Sequence, residues 1–195
     1  MATTINSNTT DGLVITPDTS GEIKLQSAGT DIATVNSSGI TMASGKGLAA
    51  TGHVLQVVQN TYSTNTGISN TSYQDSGLTA TITPTSASSK ILVLVSLSVR
   101  AYSQATGDKY YYKNIVRGST VVYETVIINQ GGNGSSGYNM TSGQSAYSYL
   151  DSPATTSATT YKVQFKTSIT SSDTYIRINE ASTGVSTMIL MEVAG

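Results

Sequence analysis

The segment "ILVLVSLSVR", Ile91–Arg100, decides how the chain folds. At its start it is apolar on both faces of a strand, with Ile91, Val93 and Val95 on one side and Leu92 and Leu94 on the other. A sheet on the surface of a monomer alternates more cleanly between apolar and polar residues, so the segment predicts a central strand covered on both sides. The last strand-like segment, "STMILMEV", has the same character. Met188, Leu190 and Glu192 share one face; Ile189, Met191 and Val193 share the other. Two such strands in an antiparallel sandwich require a cover for the outer face of one sheet, and further copies of the chain supply it without a new partner.

The pattern continues on both sides of this strand. Expected strands are His53–Gln59, Leu78–Thr83, Ile91–Ala101, Tyr110–Arg117, Thr120–Ile127, Ala146–Leu150, Thr160–Ser168, Thr174–Asn179 and Thr187–Val193. Turn-rich stretches such as "TPTSASS", "SQATGD" and "NQGGNGSSG" separate them. Composition points the same way. Charged residues make up 11% of the 195, against about 25% in a typical soluble domain, and the scarcity of Glu and Lys disfavours helices. The expected fold is all-β, with a jelly-roll-like β-sandwich knob over residues 52–195.

Residues 12–51 form a weak repeat opened by Gly12, Gly21, Gly29 and Gly39. Each unit carries a period-two apolar pair: Leu13/Ile15, Ile23/Leu25, Ala33/Val35 and Ile40/Met42. Strands this short build no core alone, as in stacked repeat architectures. The segment is therefore expected to be a short oligomeric β-stalk with Leu13, Ile15, Ile23, Leu25, Val35, Ile40 and Met42 turned inward; a loosely ordered polar linker is the alternative. Residues 1–11 read as a polar attachment arm. The start "MATTINSNTTDG" has neither a basic nor an apolar region of a signal peptide, and the longest apolar run, Ile91–Val95, is far below the roughly 20 residues that span a bilayer.

The chemistry-bearing inventory is thin. The one histidine, His53, lies at a strand start with no GxSxG partner, and there is no cysteine, HExxH or CxxC. "GITMASGKG" misses the phosphate-loop spacing by one residue and lacks the Lys-Ser or Lys-Thr. The 10 basic residues are scattered, which argues against a nucleic-acid partner, and the formal net charge is −1. No enzyme activity, cofactor or metal is expected. In "KYYYKNIVR", Lys109–Arg117, alternation puts Tyr110, Tyr112, Asn114 and Val116 on one face and Tyr111 and Ile115 with three cations on the other. The first face is expected to pack in the sandwich. The second suits a subunit interface, with Tyr111 and Ile115 as its residues.

Several segments, in order, resemble a C-terminal domain of tailed-bacteriophage structural proteins: "GHVLQVVQ", "SGLTATITPTSASSKILVLVS", "VRGST", "YLDSPATTSATTYKVQFK" and "STMILMEV". The resemblance spans Gly52–Val193, and the repeat before it is similar to shaft segments of phage fibre and appendage proteins. It implies a virion structural protein, made in the host bacterial cytoplasm, homotrimeric, with a sandwich knob. The expected function is a short trimeric tail fibre or spike that contacts the host surface. The alternative is a trimeric capsid decoration protein, because this chain is short beside a typical fibre. Expected partners are further copies of the chain, another virion protein through the N-terminal arm, and a host surface glycan or protein. The candidate receptor loop is "NQGGNGSSGYNMTSGQS", with Asn133, Tyr138 and Asn139; a plain hairpin tip is the other reading of it.

Overall fold

The structure, a computed structural model, describes residues 19–44, 47, 51–105, 107–129, 138–180 and 184–195. The chain divides into two compact units, 1–49 and 50–195, and the described secondary structure is all β.

In the first unit, β1 (Ile23–Ser27), β2 (Thr30–Asn36) and β3 (Gly39–Met42) form an antiparallel sheet in that order. The register aligns Ile23 with Val35 and Val35 with Ile40; it also aligns Leu25 with Ala33 and Ala33 with Met42. Residues directly opposite share a face. The period-two pairs of three repeat units therefore combine into one apolar face of six side chains. Ala33 is buried there, whereas Ile40 is 70% exposed and Leu25 50%.

The second unit holds β4 (Val54–Tyr62), β5 (Thr66–Ile68), β6 (Gln74–Ile82), β7 (Lys90–Ser103), β8 (Lys109–Arg117), β9 (Thr120–Asn129), β10 (Asn139–Asp151), β11 (Thr159–Thr167), β12 (Thr174–Ile178) and β13 (Ser186–Val193). One sheet has the order β4-β13-β7-β10, with β12 and β5 continuing it beyond the end of β13; the other has the order β6-β11-β8-β9. Setting aside the short β5 and β12, the eight long strands follow the orders 1-8-3-6 and 2-7-4-5, the connectivity of a jelly roll.

The long strand β7 is the keel. Its odd positions from Ile91 to Ala101 are buried in the sandwich core. They meet Leu78, Ala80 and Ile82 of β6, Tyr161, Val163 and Phe165 of β11, and Tyr111 and Ile115 of β8. Full burial of an aliphatic side chain contributes about 1.5–3 kcal/mol, so this layer holds the unit together. At one edge, Gln56 and Asn60 of β4 donate amide hydrogens to the carbonyls of Thr83 and Thr79, at 2.7 and 2.6 Å. At the other, Tyr123 of β9 stacks on Tyr147 and Tyr149 of β10, with ring centroids 6.0 and 5.6 Å apart.

Two polar clamps flank Ile91 at one end of β7, Glu192 on the β13 side and Asp151 on the β10 side. Buried Glu192 accepts from Gln56 (2.6 Å) and from the backbone and hydroxyl of Thr85 (both 2.7 Å). Burial pushes its carboxyl up, but hydrogen bonds from Gln56, Ser89 and Thr85 outweigh this and hold it below the usual carboxylate range. Asp151, at the end of β10, accepts from Arg117 at 2.7 Å and from the Tyr161 hydroxyl at 2.6 Å.

The placement of Tyr111 and Ile115 corrects the sequence expectation. Both are fully buried in the sandwich core, and the Tyr111 hydroxyl donates to the Tyr102 carbonyl at 2.8 Å. The face expected inside, Tyr110 and Tyr112, is the outer one. The cations beside Tyr111 do not prevent burial because their long stems reach polar partners at the edge. Lys109 Nζ donates to the Gly107 carbonyl at 3.1 Å, and Lys113 Nζ donates to Ser145 and lies 4.9 Å from the Tyr147 ring centre. Burial lowers the Lys113 ammonium pKa to about 8.

Candidate interaction face

The outer face of the β7 sheet changes character along its length. At one end the register aligns Val57 (β4), Met191 (β13), Leu92 (β7) and Leu150 (β10) in one row across four strands. The next row is Gln59, Ile189, Leu94 and Ser148. Val57 is 56% exposed and Leu150 47%, while the residues between them are half-buried. The row just beyond pairs Val54 with Val193 and Val193 with the exposed Lys90, which bounds the apolar end. A shallow groove of about 380 Å³ runs beside Leu94, Ser96, Ala146, Ser148, Thr187 and Ile189. The row Val57–Met191–Leu92–Leu150 supplies apolar area, and hydroxyls of Ser96, Ser148 and Thr187 border it.

Ten residues along β7 the same face is aromatic and cationic. Met140 pairs with Tyr102 and Tyr102 with Tyr175; Ser142 pairs with Arg100 and Arg100 with Arg177. Tyr102 stacks on Tyr175 with centroids 5.0 Å apart, and Tyr138 stacks on Tyr102 at 5.7 Å. Two arginines directly opposite each other repel. Glu180 resolves this by accepting from Arg100 and from Arg177, each at 2.9 Å. Glu180 is set in place by its neighbour Asn179, which is buried in the left-handed region (φ 57). The Asn179 amide N–H donates to the Ser98 carbonyl, and its side chain donates to the Tyr62 and Thr64 carbonyls.

Comparison with protein-family models and with curated proteins finds no match for this chain. Among the described residues, no three His, Asp or Glu side chains gather where they would hold a metal ion. What the two ends can do is bind: the first by excluding water, the second by stacking and charge.

The sequence-selected residues fall unevenly on this map. Ile23, Leu25, Val35, Ile40 and Met42 share the apolar face of the first unit, as registered above; Leu13, Ile15 and the arm 1–11 lie outside the described residues. Asn133 also lies outside them. Tyr138 is 62% exposed and joins the tyrosine stack, whereas Asn139 is half-buried as the first residue of β10, paired with Ser103. Sequence reasoning missed Arg100, Tyr102, Tyr175, Arg177 and Glu180. A signal was present. "VRAYS" carries Arg-x-Tyr and "TYIRI" carries Tyr-x-Arg, so in antiparallel strands tyrosine meets tyrosine and arginine meets arginine on one face.

The outer face of the second sheet has a smaller cluster. Lys166 Nζ lies between the rings of Tyr73 (4.5 Å) and Tyr112 (4.8 Å), and the Tyr73 hydroxyl donates to Glu124. Asn114, fully buried, has no partner for either polar atom of its side chain.

Proposed function

We propose that this chain is a non-enzymatic structural protein of a tailed-bacteriophage particle, a short homotrimeric fibre or spike whose knob meets the host surface. The phage assignment rests on the resemblance over Gly52–Val193. The observation that carries self-association is the row Val57–Met191–Leu92–Leu150, apolar across four strands of an outer face. Four strands at about 4.8 Å and two rows at about 6.7 Å give a patch of roughly 250 Å². A stable interface takes about 800 Å² from each partner, so this patch supplies about a third. The apolar face of the first unit, with Ile40 and Leu25 exposed, supplies further area in the same assembly. Closed threefold symmetry lets identical patches satisfy one another.

Labelling the particle with antibodies against the knob tests the placement. A few dozen copies or fewer at the tail support the fibre; hundreds of copies over the head replace it with capsid decoration. Replacing Ile23 and Leu25 by Asp tests the stalk, with a free knob or a monomer as the expected product. A mutant that stays trimeric with a protease-resistant stalk contradicts that role.

A further inference from the structure

We propose that the aromatic and cationic end of the β7 sheet is a saccharide-binding site, selective for glycans that carry a carboxylate, sulfate or phosphate group; this deepens the host-contact reading above and rests on it. Tyr102 and Tyr175 are paired positions of β7 and β12, and Tyr138 stands immediately before β10, so the sheet holds the stack Tyr138–Tyr102–Tyr175 in place. Gln104 fixes its middle ring by donating to the Tyr102 hydroxyl at 2.7 Å. At one end of the stack the Arg177 guanidinium covers Tyr175, 4.1 Å from the ring centre. At the other end Tyr138 is 62% exposed and offers a flat ring to the C–H face of a sugar.

Beside the stack an open groove of about 450 Å³ is lined by Ser98, Arg100, Met140, Ser142 and Glu180. Its charge does not cancel, because two arginines share one carboxylate and one positive charge is left over. Arg100 Nε–H is buried with no partner in the protein, an unmet donor at the groove wall. Guanidinium forks match the oxygens of a carboxylate, sulfate or phosphate, so the ligand that satisfies both features is an anionic sugar. Gly67 keeps the arrangement open, since a Cβ there would collide with the Arg177 stem that lies across β5. A single-stranded nucleic acid is a poorer match. It needs several clustered cations and free ring faces, and here the rings cover one another.

The test uses the full chain against immobilised oligo-uronates, sulfated galactans and their neutral parent oligosaccharides, with single-stranded DNA as competitor. The site predicts binding to the charged sugars that weakens with salt. Arg177→Gln and Tyr138→Ala should each reduce it by about tenfold or more, with oligomer mass and melting temperature retained. Tyr110→Ala, on the other sheet, should leave it unchanged. Equal binding to neutral sugars, competition by DNA at equal potency, or wild-type binding by both site variants overturns the site. If the chain binds host cells but none of these sugars, the site is wrong while host contact stands. If it binds neither, both fail.

Discussion

One face of one sheet carries two surfaces that differ in almost everything except the backbone beneath them. On β7 the inward positions stay apolar from Ile91 to Ala101, while the outward ones change from Leu92 and Leu94 through Ser96 and Ser98 to Arg100 and Tyr102. The two ends lie about 30 Å apart, at about 3.3 Å per residue. The inner row is fixed by the fold, so the outer row is where the sequence is free to encode contact. Its two halves suit different partners. The leucine end has a continuous apolar row, which fits another copy of itself. The arginine–tyrosine end has geometry and unspent charge, which fits a polar ligand. In the proposed reading, separating the two would let assembly and host contact occur without competing for surface.

Charge placed in the apolar end should have the largest effect. Leu92→Asp with Met191→Asp should weaken self-association by about a thousandfold or more, since unpaired carboxylates would have to be desolvated at each contact. Circular dichroism should still report a folded knob, because both residues point outward. Unfolding of the variant would show that the row supports the fold itself.

A smaller effect separates the core from either surface. Lys113 sits in the interior with its pKa lowered to about 8. Its burdened ammonium costs stability at neutral pH, and the cost is relieved as pH rises from about 8 toward the unfolded value near 10.4. Lys113→Met should therefore raise stability by about 2–3 kcal/mol at pH 7, with the gain gone near pH 10.5. Denaturant titrations at the two pH values measure it, and a gain independent of pH contradicts the burial argument.

Next comes the clamp beneath the apolar end. The folded-state pKa of Glu192 is depressed, so its contribution is present above the unfolded value and lost as pH falls through the folded one. Glu192→Gln should cost about 1–2 kcal/mol at pH 7 and converge on wild type in acid below that folded value. The smallest change in stability should come from the other end. Tyr138→Ala should shift unfolding by no more than about 0.5 kcal/mol, as expected for an exposed site, while removing sugar binding.

The double-sided apolar pattern of Ile91–Val95 and Met188–Val193 identified the central strands, because alternation is a local property. The segments carrying the resemblance also have a physical basis: Gln56, Thr85 and Glu192 form one clamp, and Arg117, Asp151 and Tyr161 the other. They mark the fold and leave the contact surface unmarked. Alternation split "KYYYKNIVR" correctly between two faces but gave no sign of which was inside. The cations on the Tyr111 face suggested exposure, and only tertiary partners such as Ser145 and Asp151 make burial tolerable. The strand Asn139–Asp151 looked like a loop over its first half, since "NMTSGQS" is polar and owes its form to pairing with β7. β5, three residues long, is below what periodicity can register.

The central claim is that the apolar end of the β7 sheet joins copies of this chain. Sedimentation equilibrium of the full chain tests it most directly. The expected mass at micromolar concentration is three times the 20.2 kDa of one chain, falling to one chain in the Leu92→Asp/Met191→Asp variant. A wild-type chain that remains at 20.2 kDa across that range would contradict it.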